Sequence, residues 1–236
     1  METIRDISYE EAIEFLLPRH YSGRKPCVSR AFGWIVDGVL QAVITYGKPV
    51  NRCLCTGICG EEWSSHVYEL NRMCRRDGFD RPMSHFVSTT LHMLKPLDWI
   101  VVSYSDTAMN HHGYVYQACN FLYTGTSCTT FKDKYNKGTD THNRHNGAFS
   151  IKTDGFYVER SPKHRYVYFC ASSKIVRKRM EKALNYPVLP YPKGDNSNYE
   201  LGKFIGKTVV DLVTGERTSI TNDRRIDVTA EQDFLF

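Results

Sequence analysis

The densest chemistry in the chain lies between residues 103 and 116, where Ser103-Tyr-Ser-Asp106 is followed by His111-His-Gly-Tyr-Val-Tyr116. A carboxylate and a phenol so close in sequence can act as general base and general acid, Asp106 taking a proton and Tyr116 supplying one, and His111 or His112 can do either. Plain structural uses fit the same residues: an aspartate after a strand can cap the next turn, and loop histidines can simply be solvated. A second group, His20-Tyr21 with Arg24 and Lys25 behind it, sits in a loop after the first helix and reads equally well as a surface turn.

Three other stretches carry charge or thiols. In Arg75-Arg-Asp-Gly-Phe-Asp-Arg81 a strand delivers the chain past Arg75, Arg76, Gly78 and Arg81 into a helix start. Free N–H groups and the helix dipole there favour anions, so a pyrophosphate-bearing cofactor suits the place as well as a solvated turn does. From residue 163 to 182, Lys163, His164, Arg165, Lys174, Arg177, Lys178, Arg179 and Lys182 face one acid, Glu181, with Tyr166, Tyr168 and Phe169 interleaved. That pattern fits contacts to nucleic-acid phosphates, or an ordinary solvated helix face. Cys53-Leu-Cys-Thr-Gly-Ile-Cys59 lacks the paired spacing and fourth ligand of a metal site and reads as structural cysteines.

The elements that must hold these groups are legible in outline. Ser8-Tyr-Glu-Glu11 is a capping box, Ala12, Ile13, Leu16 and Leu17 form a helical stripe, and Pro18 ends it. Ala31-Phe-Gly-Trp-Ile-Val and Val39-Leu-Gln-Ala-Val-Ile-Thr-Tyr46 flank Asp37-Gly38, the signature of a hairpin. Strand, helix and strand follow over 67–104, with Pro82 in the first turn of the helix, Met83, Phe86, Val87, Leu91 and Leu94 at helical spacing, and a buried parallel strand from Asp98 to Tyr104. A helix from about Asn110 to Cys119 and a strand from Phe121 come next. Residues 124–161 turn polar and predict short hairpins; Lys163-His-Arg-Tyr-Val-Tyr-Phe169 predicts a further sheet strand, residues 174–184 a basic helix, and Thr214-Gly215 another hairpin.

Composition bounds the answer. At ~150 residues per domain, 236 residues make one domain with elaborations, and 41% hydrophobic with 24% charged residues excludes a disordered or fibrous chain. The longest uncharged apolar run, Trp99 to Tyr104, is far short of a membrane span, and no apolar segment follows Met1, so a soluble cytoplasmic protein with no membrane partner is expected. Eight cysteines in a chain with room for a real core are expected to remain reduced. A net charge of +5 permits an anionic partner without requiring one.

The element order resembles the GNAT acyltransferase fold, which implies a mixed α/β (α+β) sheet, centrally splayed and flanked by helices, with the pantetheine arm of acetyl-CoA between the parting strands and its pyrophosphate on the stretch from Arg75 to Ser84. Val115-Tyr116-Gln-Ala-Cys-Asn-Phe121 keeps the Tyr-to-Phe spacing of the helix whose tyrosine, in that family, protonates the departing thiolate. Asn120 replaces the usual glycine, and the Gly-rich signature of the pyrophosphate loop is missing. More specific is a resemblance to the Mom family of phage DNA modification proteins, carried by His20-Tyr-Ser, Tyr46-Gly-Lys-Pro-Val-Asn-Arg52, Glu69-Leu-Asn-Arg72, Ser103-Tyr-Ser-Asp106, Gly113-Tyr-Val-Tyr-Gln-Ala-Cys-Asn120, Tyr123-Thr-Gly125, Lys163-His-Arg-Tyr166 and Tyr186-Pro-Val-Leu-Pro-Tyr-Pro-Lys193. This resemblance implies carbamoylmethylation of the exocyclic amine of adenine in DNA, protection from restriction, an acetyl-CoA or related acyl donor, and functional roles for His20, Tyr21, Arg72, Asp106 and Tyr116, with Ser84 less directly. Iron has also been proposed for the family. In the implied scheme Asp106 helps the amine, Tyr116 protonates the leaving group, Arg72 holds a phosphate or acyl oxygen, and His20 and Tyr21 orient the base. Acetyl transfer alone yields an amide, so it is not the complete route to an N-alkyl product. The residues also leave open a GNAT acetyltransferase for a protein or small-molecule amine, and a non-enzymatic DNA-binding anti-restriction protein. The expected organisation is a catalytic domain over 1–190, with 124–162 as an inserted β-rich lobe, and an extension over 191–236.

Overall fold

In the computed structural model the residues described are 1–20, 25–127, 132–136, 155–159, 161–195, 207–211 and 213–220. The first helix, α1 (Tyr9–Leu16), starts where its capping box dictates: Ser8 Oγ accepts from Glu11 N and the Glu11 carboxylate accepts from Ser8 N. Before it runs a strand not anticipated from sequence, β1 (Glu2–Asp6), which pairs with β2 (Arg30–Val36). Its exposed, charged residues lack an apolar alternation, and only the partner strand makes it a strand. β2 and β3 (Val39–Gly47) form the expected hairpin, with Asp37 and Gly38 both at positive φ, as a tight two-residue turn requires.

The cysteine-rich stretch is a short helix, α2 (Arg52–Cys59), burying Cys55 and Cys59. β4 (Val67–Arg75), α3 (Met83–Leu94) and β5 (Trp99–Asp106) make the predicted parallel crossover. The predicted helix from Asn110 is broken: a 3₁₀ turn at Thr107–Met109, then α4 (Tyr114–Ala118). Asn110 and Gly113 both take left-handed φ, which interrupts the helix between them. β6 (Leu122–Thr126), β7 (Lys132–Asn136), β8 (Gly155–Glu159), β9 (Lys163–Cys170), α5 (Lys174–Ala183), β10 (Lys207–Asp211) and β11 (Arg217–Ile220) follow.

Two sheets result. The larger has the order β1-β2-β3-β4-β5-β9-β6, mixed because only β4 and β5 run parallel; the smaller is β11-β10-β8-β7. The smaller sheet joins strands from the predicted insertion to strands from the predicted extension, through β8 pairing with β10. Apolar side chains alternate to opposite faces of the larger sheet. α3 and α4 cover one face, with Phe32, Trp34, Tyr46, Leu70, Phe86, Val101 and Tyr166 in the core between. α1 covers the other face near Ala31 and Val43, while α2 and α5 cover it near Val67, Ile100, Val102 and Phe169. The architecture is the GNAT-like, centrally splayed α/β sheet expected from sequence.

The splay is visible in the pairing. β4 and β5 are joined only at Val67↔Ile100, Tyr68↔Val101 and Glu69↔Val102; beyond that β4 pairs with β3 alone and β5 with β9 alone. At the first step past the fork a side chain spans the gap, Ser103 Oγ donating to Leu70 O at 3.0 Å. The sheet edge at β6 is covered by residues 185–195. Leu189 N donates to Tyr123 O, Tyr191 Oη to Phe121 O and Tyr114 Oη to Gly194 O, which ties the Tyr186-to-Lys193 run to β6 and α4. Among the described residues no helix is long and apolar enough to cross a membrane.

Candidate active site

A β-bulge sets the charged side of the fork. Thr45 pairs with Arg72 but Tyr46 pairs with Leu70, so Asn71 is an extra residue in β4. Without it Arg72 would share the apolar face of Leu70. With it, Arg72 stands on the same face as Glu69. Asn71 is pinned by Thr45 Oγ1, which donates to its Oδ1 at 2.7 Å, and by its own Nδ2 donating to Cys27 O at 2.7 Å. Cys27 lies so close to β3 that a Cβ on Gly47 would fall 1.8 Å from its carbonyl oxygen, so only glycine fits there. This clamp fixes Cys27 against β3 and β4.

On that face strand alternation adds Tyr104 and Asp106 from β5 and Lys163 and Arg165 from β9. Asp106 holds three donors: Lys163 Nζ at 3.2 Å, the Ser161 hydroxyl, and Ala108 N at 3.0 Å, the last making it the cap of the 3₁₀ turn. Arg165 donates to Thr124 Oγ1 and O at 2.9 and 2.8 Å and stacks over the Tyr186 ring at 3.5 Å. His20 is largely buried, and that burial, with Arg72 and Lys163 beside it, pushes its imidazole down to about 3, so it is neutral at physiological pH. Glu69 goes the other way. Desolvation raises its carboxyl above the usual range, and Arg72 and Lys163 offset this only in part. The Tyr104 phenol is pushed up by burial and by Glu69. Glu69 is the residue that sequence reasoning gives no role. It opens the Glu69-Leu-Asn-Arg72 motif, but nothing in the sequence shows that it lies at the last rung before the fork.

The opposite face at the same end is aromatic. Tyr116 is buried between Phe121 and Tyr166, both at 5.4 Å between ring centroids. Tyr123 Oη and His164 Nδ1 are hydrogen bonded at 3.0 Å. His112 O accepts from the Tyr166 hydroxyl and from Gln117 Nε2, fixing the entry to α4. Gly113 is irreplaceable here: it sits at φ 71, and a Cβ added to it would lie 2.5 Å from the Tyr166 ring. Asp106 and Tyr116, read from sequence as partners in one cleft, thus stand on opposite faces of the sheet.

The predicted cofactor residues divide. Arg75 is exposed at the end of β4, Gly78 sits at φ 77, and exposed Arg81 lies 4.0 Å from Glu2. Arg76 is turned inward, its Nε donating to Leu40 O at 2.7 Å and its guanidinium lying over Phe15, so the fold uses the group that sequence assigned to a ligand. Ser84, in the first turn of α3, accepts through its carbonyl from Cys119 Sγ. Among the described residues α3 has Pro82 at its N-cap with no side-chain cap hydrogen bond, and His85 N donates to Pro82 O at 3.0 Å, so the amides of Met83 and Ser84 suit an anionic group. The predicted DNA-contacting run also divides. Lys163 and Arg165 face the charged site and His164 the aromatic face, while on α5 Arg177 pairs with Glu181 and Arg179 with Glu62, both at 2.8 Å, beside exposed Lys178. Tyr21 and Arg24 lie outside the described residues. Iron does not fit what is present: among the described residues no three His, Cys, Asp or Glu side chains converge, and His20 stands beside two cations while Asp106 is paired with Lys163.

The parallel pair parts after Glu69 and Val102, with charged groups on one side of the splayed sheet and phenols on the other. The chain belongs to the Mom protein family, whose model matches residues 2–193. It is 28% identical over 204 residues to the methylcarbamoylase Mom of Escherichia phage Mu, covering 80% of this chain and 83% of that one. Solved structures similar to it include an N-acetyltransferase from Staphylococcus aureus (8% identity, 72% of this chain and 98% of that one, TM-score 0.44), a Drosophila melanogaster polyamine N-acetyltransferase (10%, 72% and 100%, 0.44) and a Bacillus subtilis acetyltransferase in complex with CoA (11%, 71% and 97%, 0.41).

Proposed function

We propose that this protein is a phage DNA modification enzyme, a transferase that modifies the exocyclic amine of adenine by carbamoylmethylation and so shields DNA from restriction, with acyl transfer from an acyl-CoA as one step of that route and not the whole of it. Membership of the Mom family, together with the phage Mu methylcarbamoylase, carries this reading. The site's chemistry supports it. The exocyclic amine is a weak nucleophile whose proton must go to a base, and the charged face of the fork supplies carboxylates, an arginine and a neutral imidazole. A base inside a duplex has to leave the stack to be reached, so the reading expects DNA on the charged face.

The donor's diphosphate would sit on the uncapped amides of α3 with Arg75 and Arg81 near it, and its thioester would enter the gap between β4 and β5. When bound, the donor supplies the activated carbonyl. Arg72 would hold an acyl oxygen, neutral His20 would orient the base by hydrogen bonding, and Tyr116 would give its hydroxyl proton to the leaving sulfur. Expression beside a plasmid, followed by digestion of the DNA to nucleosides and mass spectrometry, tests the reading. A modified deoxyadenosine is expected; only unmodified nucleosides from cells holding soluble, folded protein overturn it.

A further inference from the structure

We propose that Arg165 is the residue that grips the DNA strand, its guanidinium holding a backbone phosphate beside the extruded adenine, with the Tyr186 ring as its fixed backing. This deepens the function proposed above and rests on it. Among the lysines and arginines of the run from residue 163 to 182, Lys163 is neutralised by Asp106 at 3.2 Å, Arg177 by Glu181 and Arg179 by Glu62 at 2.8 Å each. Lys174, Lys178 and Lys182 are exposed to water. Arg165 differs from both groups: it is half-buried, yet it pairs with no carboxylate among the described residues.

Its position is fixed without being used up. Nε and Nη2 are held by Thr124 and one face of the guanidinium by Tyr186, while Nη1 makes no hydrogen bond among the described residues. Its cross-strand neighbour Tyr104 brings no charge, because burial pushes that phenol up. Of the carboxylates on this face, Asp106 belongs to Lys163, and Glu69 stands under the influence of Arg72 and Lys163. Withdrawing a guanidinium from water without a counter-ion is costly, and an anion that arrives with the substrate offsets that cost.

Two anions could come: a phosphate of the donor or a phosphodiester of DNA. Strand alternation sets Arg165 with Lys163 and Tyr104 on the face opposite α3, away from the amides assigned above to the donor's diphosphate. The DNA strand entering the charged face is the source that fits. An arginine fork locked in plane by an aromatic ring is suited to charge-assisted hydrogen bonds with phosphate oxygens. The Tyr186-to-Lys193 run thereby gains a task, because Tyr186 is seated against α2, where a Cβ on Gly57 would crowd its hydroxyl at 3.1 Å.

Arg165→Gln and Arg165→Lys decide it, read by binding of the purified full-length protein to a fluorescein-labelled duplex between about 50 and 200 mM salt. With glutamine, affinity at the lowest salt should fall about tenfold, the usual size of a lost charged hydrogen bond. The slope of log affinity against log salt should also flatten by about 0.9, the share of one phosphate contact. Lysine keeps the charge and loses the fork, so the wild-type slope should persist with part of the affinity gone. Affinity for CoA, measured by calorimetry, should be unchanged in both. Equal slopes in wild type and Arg165→Gln overturn the proposal even if affinity or melting temperature falls, because Arg165 then only props Tyr186 and Thr124. Loss of CoA affinity with duplex binding intact overturns it by giving the anion to the donor, and loss of folded protein in both variants overturns it as a structural role. The plasmid assay reads the function separately: modified deoxyadenosine from the wild type beside equal slopes leaves the function standing and this proposal refuted, whereas no modified deoxyadenosine refutes the function itself.

Discussion

Two faces of one sheet end carry very different chemistry. On the α1/α2/α5 side, Glu69, Arg72, Asp106, Lys163 and His20 place charges and a neutral imidazole around the fork; on the α3/α4 side, Tyr116, Tyr123 and Tyr166 place phenols in a packed core. The difference teaches that the alternation of a strand sorts neighbours in sequence into separate environments. Ser103 and Ser105 go with the phenols, Tyr104 and Asp106 with the charges. Between the two sets β4 and β5 stop pairing after Glu69 and Val102.

That contrast can be broken from the aromatic side first. Gly113→Ala forces a methyl group against the Tyr166 ring at left-handed φ, and the cost of such strain is about 1–3 kcal/mol before any clash is counted. A fall in melting temperature of several degrees is expected, together with loss of modified adenine, because α4 and Tyr116 shift together. An unchanged melting curve would show that the aromatic face is looser than its packing implies.

The charged side gives a smaller effect, and it depends on pH. His20 is held neutral down to about 3, well below its unfolded value near 6.5. A depressed value of this kind leaves stability intact above the unfolded value and removes it as pH falls toward the folded one. Wild-type protein should therefore lose melting temperature between about pH 6.5 and 4 more steeply than His20→Gln, and parallel curves would show that His20 is solvated. Last comes a change outside both faces. Replacing Arg177 and Arg179 by alanine removes two exposed ion pairs worth about 0–1 kcal/mol each, so melting should move by a degree or two. If α5 touches DNA phosphates, affinity for a duplex at low salt falls several-fold and the salt slope flattens; unaltered affinity removes α5 from the contact surface.

Much of the framework was legible because it depends on local pattern. The capping box at Ser8, the Asp37-Gly38 hairpin and the crossover over 67–104 each follow from residue types at fixed offsets, and the family resemblance rests on motifs spread from 20 to 193. β1 was not legible, since an exposed strand with a charged sequence takes its form from its partner. Neither was the smaller sheet, whose strands lie on either side of β9 and α5 in the chain.

The candidate site divides in the same way. Sequence by itself offered Asp106 and Tyr116 as a base and an acid, the family resemblance added roles for Arg72 and His20, and the residues after Arg75 lead into a helix start. Only the tertiary structure decided which face each occupies. One extra residue at Asn71 reverses the direction of Arg72, the inward turn of Arg76 takes it from the loop, and the end of β4–β5 pairing makes Glu69 the group at the opening. The reason is physical: side-chain direction in a strand has a period of two, so a single bulge changes it for every residue that follows, and no composition or spacing rule contains that parity until the register is formed.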